Sequence, residues 1–203
     1  EALLIGNILF LLTLKLGASE TRPYVWFLLG LLGGLGFWGF ALTIVYLVPA
    51  VVYLLAVGQR SMARWLLFAA GFAVGAAPWL AFVLNDAATA FTELSGSAIA
   101  GASPEHPVFA VFAHLFNLLL LGLTVIFGLR APWSALFLAL PLAPLALAIY
   151  TALMTHSLGR ALWLRDAARG GRWLLFGCGA MVVGGFIFTP FGADPSGRYF
   201  LPL

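Results

Sequence analysis

Three residues that could bind a charged ligand lie close together near the carboxyl end of the chain: Asp194, Arg198 and Tyr199. Prolines and glycines keep residues 189–199 from forming a helix. A guanidinium offers several hydrogen-bond donors in a fixed fork that suits a phosphate group, and a tyrosine adds a hydroxyl. The residues therefore predict a phosphate-binding site centred on Arg198. The alternative is a loop in which Asp194 pairs with Arg198 and Tyr199 is an interfacial aromatic residue.

Other chemical motifs are sparse. The sequence contains no Walker loop, no Gly-x-Ser-x-Gly elbow and no His-Glu-x-x-His motif. His114 and Asn117 are one helical turn apart, which favours a polar contact between helices over a pair of metal ligands. Cys178 stands among glycines, where a small packing residue is expected. We predict no cofactor, and the sequence leaves open whether a divalent metal ion binds.

Composition defines the class of protein. Of the 203 residues, 63% are hydrophobic and 8% are charged, and the mean hydropathy is +1.07, which excludes a soluble globular domain and a disordered chain. Ten Lys and Arg against seven Asp and Glu give a net charge of only +3, too little for a nucleic-acid-binding module. The sequence therefore predicts an integral membrane protein, an all-α bundle of transmembrane helices.

The apolar runs that could span a membrane, each bounded by polar or glycine-rich residues, are 2–16, 23–35, 40–57, 65–84, 108–128, 133–155 and 173–189. A turn is expected within the glycine-rich residues 30–39. Gly71 and Gly75 have the spacing that lets a second helix approach closely.

Charge predicts the orientation of these runs, because Lys and Arg accumulate in short cytoplasmic loops. The arginines of residues 58–64 and 156–172 predict two cytoplasmic segments. Residues 85–107 carry acidic side chains but no Lys or Arg and are expected to form an extracytoplasmic loop. This assignment works only if 133–155 is a hairpin of two half-length helices broken at its prolines; otherwise the charge rule is violated there.

The ends of the chain suggest an interior piece of a longer protein. Glu1 is not a methionine, no signal peptide follows it, and the last residues, 198–203, look like the start of another apolar run. We therefore expect part of any active site to lie outside these residues.

Residues 191–203, Phe-Gly-Ala-Asp-Pro-Ser-Gly-Arg-Tyr-Phe-Leu-Pro-Leu, resemble the Arg-Tyr-Leu-x-Pro element of polytopic family 39 glycosyltransferases. These are the bacterial relatives of the protein O-mannosyltransferases and the aminoarabinose transferase, and they share the C-type fold. Three other stretches fit the same family: residues 1–7, residues 33–38, and residues 75–79 leading to Asn85. The resemblance covers nearly the whole chain.

The resemblance implies a multi-pass enzyme, expected in the bacterial inner membrane, that moves a sugar from a polyprenyl-phosphate carrier to an acceptor on the extracytoplasmic side. The implied substrate-binding residues are Arg198, Tyr199, Asp194 and Glu1. The family's essential acidic residues lie mainly in an earlier outer loop, and none of the extracytoplasmic carboxylates, Asp86, Glu93 and Glu105, matches that motif. The expected partners are the polyprenyl-phosphate-linked sugar and membrane lipids, and no nucleic acid is expected. Residues 85–107 could become ordered over bound substrate.

Two other functions fit the same residues. A transporter or flippase core also uses helices broken at proline and glycine. Such proteins usually carry charged residues in mid-membrane, whereas the runs 40–57, 65–84 and 173–189 contain no charged residue, which favours the transferase. A purely structural membrane subunit is the third possibility.

Overall fold

A computed structural model describes residues 2–18, 22–95, 107–118 and 169–190, together with residues 145, 148, 149, 152, 153, 155–157, 159 and 160. In this part of the chain the regular structure is helical, with no strand. The predicted all-α class is therefore confirmed. The predicted hairpin 133–155 lies largely outside the described residues.

The described residues form a series of α-helices. They are α1 (Ala2–Ala18), α2 (Pro23–Gly39), α3 (Ile44–Ala56, which continues the short 3-10 helix Ala41–Thr43), α4 (Met62–Gly75), α5 (Ala77–Asn85), α6 (Ala87–Ser95), α7 (Pro107–Phe116) and α8 (Arg169–Phe188). The chain divides into two compact units, one of Glu1–Phe91 with Arg165–Gly179 and the other of Thr92–Leu164 with Ala180–Leu203.

Helices α2 and α4 pack backbone against backbone in the first unit. A Cβ built on Gly30 would overlap the carbonyl oxygen of Phe68, and one on Gly34 would overlap that of Phe72. Only glycine allows the two backbones to come this close. At this distance Cα–H groups of one helix contact carbonyl oxygens of the other, which gives a weak attraction that recurs at helix interfaces.

The second helix of this pair contributes glycines in the same way. A Cβ on Gly71 would overlap the carbonyl oxygen of Phe27, and one on Gly75 would overlap that of Leu31. The predicted close approach at Gly71 and Gly75 is thus confirmed, with α2 as the partner. Because the contact residues rise together along both chains, α2 and α4 run parallel.

The glycine-rich stretch does not form the turn that the sequence predicts. Instead α2 continues beyond residue 35 to Gly39, and its backbone leaves the helix at Phe40, which is extended at φ −160°. The prediction was wrong because these glycines pack against the backbone of α4. They are needed there because they lack a side chain, and not because their backbone is flexible.

Contacts at other glycines set the directions of the remaining helices in the first unit. Gly6 meets the ring of Tyr46 and Gly17 meets that of Tyr53, so α1 and α3 run parallel. Gly170 meets the hydroxyl of Tyr53 and Gly177 meets Pro49, so the first part of α8 runs antiparallel to α3.

The core of the first unit lies where these helices meet. Leu9, Leu16, Trp26, Leu29 and Leu54 are fully buried there. Large apolar side chains also stay exposed on the outer faces, among them Leu84 at 88%. Extensive apolar exposure is unusual for a protein surrounded by water.

Among the described residues, one helix segment, Gly170–Phe188, is long and apolar enough to cross a membrane by itself. Helices α4 and α5 meet the same criterion only together, and they are bent by 68° at their junction. The predicted run 65–84 is therefore two helices rather than one straight span, with Pro78 close to the start of the second. The other apolar helices are shorter, so the multi-pass bundle stays a prediction.

We expect alanine at Gly71 or Gly75 to destabilise the protein by about 1–3 kcal/mol, because the added methyl group would force the α2 and α4 backbones apart. The measurement is the thermal unfolding midpoint in detergent, followed by tryptophan fluorescence. Gly184→Ala is the matched control, since a Cβ there meets no atom within 4 Å in the part of the chain that the structure describes. Unchanged midpoints at both Gly71 and Gly75 would contradict the contact.

Candidate functional site

The residues predicted to bind substrate, Arg198, Tyr199, Asp194 and Glu1, lie outside the described residues. In the sequence, residues 194–199 follow the end of α8, where the backbone N–H of Thr189 donates to the carbonyl of Gly185 at 3.1 Å. Glu1 directly precedes α1.

Basic side chains gather at one end of the first unit. Lys15 lies in the last turn of α1, Arg22 precedes α2, Arg60 and Arg64 lie where α3 leads into α4, and Arg172 lies in the first turn of α8. The helix directions bring these positions to the same end, which we call the basic end. Among the described residues of this unit the one acidic side chain is Asp86, which follows α5.

The corner between α3 and α4 is built at the basic end around Gly58 and Gln59. Gly58 adopts φ +86°, and it donates to the carbonyl of Leu55 while the backbone N–H of Gln59 donates to that of Leu54. This is the Schellman arrangement, in which glycine ends a helix in the left-handed conformation. It turns the chain sharply and brings Gln59 between three helices.

Gln59 connects these helices through hydrogen bonds. Its Nε2 donates to the carbonyl of Leu16 at 3.1 Å, and its Oε1 accepts from Nη1 of Arg64 at 2.8 Å. The backbone carbonyl of Gln59 accepts a hydrogen bond from the indole N–H of Trp65 at 2.9 Å. A single side chain thus satisfies the carbonyl near the end of α1 and holds a guanidinium in place. Sequence reasoning missed Gln59, although Gly58 after an apolar run is a typical helix stop.

Aromatic rings line both ends of the α2 and α4 pair. At the basic end the rings of Trp26 and Trp65 meet edge to face with centroids 5.3 Å apart. At the other end Phe37 packs edge to face on Trp79 at 5.0 Å. The Gly-Ala-Ala-Pro-Trp stretch therefore packs its tryptophan on the end of α2. Exposed aromatic residues flank that end, with Trp38 at 53% and Phe40 at 48%.

His114 makes the contact between helices that its sequence position predicts. Its ring is buried, and Nδ1 lies 3.0 Å from the carbonyl oxygen of Ile187 in α8. Only a protonated Nδ1 can donate to that carbonyl. Within the described ranges no group of three or more His, Cys, Asp or Glu side chains could hold a metal ion.

Cys178 is buried at 3% exposure in α8, which agrees with its predicted packing role. Burial of this kind keeps a thiol away from reagents in water. Its neighbour Gly177 packs on Pro49 of α3, so this stretch of α8 serves helix packing rather than chemistry.

The extracytoplasmic loop predicted over residues 85–107 contains a helix in its first part, α6. Asp86 begins this helix: its Oδ1 accepts the backbone N–H of Thr89 at 3.0 Å, the contact that an N-cap residue makes. Glu93 lies exposed on α6, while Glu105 and His106 lie outside the described residues. The first part of the predicted loop is therefore helical, and its ordering over bound substrate stays a prediction.

Hydrogen bonds from the side chain and backbone of Thr89 hold the pKa of Asp86 below its ordinary value of 3.8. A lowered pKa means that the ionised form stabilises the start of α6 above pH 3.8, and that this contribution is lost as the pH falls through the lower, folded-state pKa. We expect the amide proton of Thr89 to titrate with a midpoint below 3.8 in detergent-solubilised protein, measured by NMR.

Asp86→Asn is the control for this titration, because asparagine caps a helix as well as aspartate does but does not titrate. The variant is expected to keep α6 and to lose the pH dependence of the Thr89 resonance. A wild-type midpoint at or above 3.8 would contradict the cap.

No protein-family model matches this chain, and neither a curated protein nor a solved structure is detectably similar to it. The resemblance to family 39 glycosyltransferases accordingly stays a prediction from the four sequence stretches given above.

Proposed function

We propose that the protein is a multi-pass membrane glycosyltransferase that moves a sugar from a polyprenyl-phosphate-linked donor to an acceptor on the extracytoplasmic side of a bacterial inner membrane. The high mean hydropathy, +1.07, supports a membrane location. So do the exposed apolar side chains of helices such as α4, where Leu66 is 63% exposed, because lipid rather than water is the solvent that suits them.

The observation that carries the proposal is the direction of α8. The helix begins at the basic end, where Gly170 meets Tyr53, and it packs on Pro49 one to two turns later. Basic residues favour the cytoplasmic side of a membrane, so a spanning α8 would end on the opposite side. That supports an extracytoplasmic location for residues 191–203, which carry the Arg-Tyr element.

The chemistry of that element suits the donor. Arg198 would bind the phosphate of the isoprenoid carrier through its fork of N–H donors, and Tyr199 would add a hydroxyl. Asp194 and Glu1 complete the proposed substrate-binding set. Transfer also requires a carboxylate to take the proton of the acceptor as a general base, and we assign that role to no residue of this chain.

A transporter or flippase core is the second candidate, favoured by the 68° bend between α4 and α5. Broken helices of this kind line substrate sites in transporters. Against it, the described part of α4 and α5 between Trp65 and Leu84 carries no ionisable side chain, whereas transport pathways usually need one. The transferase is therefore preferred.

Arg198→Ala is expected to lower sugar transfer at least a hundredfold, because the donor phosphate loses a charge-assisted pair of hydrogen bonds worth roughly 3 kcal/mol. Transfer of a radiolabelled sugar from polyprenyl phosphate is measured in membranes that contain the protein. Arg198→Lys keeps the positive charge but loses the forked donor geometry, so its transfer activity should lie between those of the unchanged protein and Arg198→Ala. Full activity of Arg198→Ala at an equal protein level would remove Arg198 from the site.

The orientation predicts opposite accessibility for two engineered cysteines in a Cys178→Ala background. Ser61→Cys, at the exposed start of α4, should react with a membrane-impermeant maleimide only after the membrane is opened. Ala87→Cys, exposed at the start of α6, should react in intact cells. The reverse pattern would invert the membrane orientation and place the Arg-Tyr element on the wrong side for this donor.

A further inference from the structure

The carboxyl end of α8 is fixed by a proline. Pro190 has no N–H, so it cannot bond the carbonyl of Phe186 four residues earlier, as a continuing helix would require. Helix α8 accordingly ends at Phe188, and Thr189 donates from both its backbone N–H and its hydroxyl to the carbonyl of Gly185. The last carbonyls of a helix need partners from outside the helix.

His114 supplies such a partner from another helix. It lies in the last turn of α7, its side chain is 9% exposed, and its Nδ1 lies 3.0 Å from the carbonyl oxygen of Ile187. Because a carbonyl oxygen only accepts, Nδ1 carries the proton and donates. A histidine at this place caps the carboxyl end of α8. Helix α7 and this part of α8 belong to the same compact unit.

The last turns of α8 are packed as well as capped. Val182 and Phe186 are four residues apart on one face of the helix, and they are 4% and 3% exposed. A hydrogen bond made by a buried ring is costly to lose, because the carbonyl it serves is left without that donor. The bond from His114 therefore holds in place the residues from which the chain continues to the Arg-Tyr element, residues 191–203.

We propose that His114 is a positioning residue for the Arg-Tyr element and acts through the carboxyl end of α8. The inference rests on the proposed function, since the element needs a defined position only if it binds the sugar donor. A guanidinium that binds a phosphate has to be held in one place, because a small misplacement of a binding group lowers the rate of reaction. His114 itself contacts no substrate in this proposal.

Three substitutions of His114 separate its hydrogen bond from its packing. Leucine fills the buried space but has no donor. The amide nitrogen of asparagine is as many bonds from Cα as Nδ1, so it can donate at the same place, whereas that of glutamine lies one bond further out. Leu118→Ala is the matched control, because Leu118 is buried four residues further along the chain at 5% exposure and its side chain makes no hydrogen bond.

The first measurement does not depend on activity. Spin labels are attached at Ala113→Cys, an exposed position of α7, and at Ser196→Cys in a Cys178→Ala background, and pulsed electron paramagnetic resonance measures their separation in detergent. We expect one narrow distance distribution with His114 present, in His114→Asn and in Leu118→Ala. His114→Leu and His114→Gln should broaden or shift it. A broad distribution with His114 present, or no change in His114→Leu, would overturn the proposal.

The second measurement is sugar transfer from the polyprenyl-phosphate donor. His114→Leu should raise the KM for the donor roughly tenfold, the effect of about one buried hydrogen bond, and His114→Asn should restore it. In an Arg198→Ala background, His114→Leu should cause no further loss, because the guanidinium that it positions is gone. Equal losses in the two backgrounds would show a general effect on stability and contradict the positioning role.

The two measurements separate failure of this proposal from failure of the proposed function. If the unchanged protein transfers no sugar, the proposed function is wrong, and the spin-label distances still decide whether His114 holds the Arg-Tyr element in place. If transfer occurs but the KM does not change in His114→Leu, the positioning role is wrong and the transferase stands. Thermal unfolding in detergent checks that each variant is folded.

Discussion

The backbone contact between α2 and α4 is the constraint on which the first unit depends. Gly30 and Gly34 of α2 face carbonyl groups of α4, and Gly71 and Gly75 of α4 face carbonyl groups of α2. In an apolar medium the hydrophobic effect does not drive helices together, so close packing and weak Cα–H contacts have to supply the attraction. Because α3 connects α2 to α4 in the sequence, the parallel direction of the pair requires α3 to run antiparallel to both.

The polarity of the first unit follows from that arrangement. Once α2 and α4 are parallel, their starts lie side by side, and the turn at Gly58 brings Gln59 to the same place. Tryptophans 26 and 65 pack just inside this end. Charge and a polar corner thus gather at one end because of a contact made by residues that have no side chains.

The sequence predicted the class of fold and most helix positions, since apolar runs and their polar boundaries are local features. The turn predicted at the glycines of α2 was wrong. Glycine is common both in turns and at close helix contacts, and only the position of the partner helix shows which of the two applies. The bridging role of Gln59 depends on its hydrogen bond to Leu16, a contact far along the chain. The phosphate-binding prediction at Arg198 concerns residues beyond the described part, so it stays a prediction.

If the first unit is embedded in a bilayer as proposed, the shortness of its helices has a consequence for the surrounding lipid. Helix α2 has 17 residues and is about 26 Å long, and α4 has 14 residues and is about 21 Å long, whereas a hydrocarbon core is about 30 Å thick. A unit embedded with such helices would thin the membrane next to it. The two leaflets would then approach each other at the protein, which would shorten the barrier between the aqueous compartments at that spot.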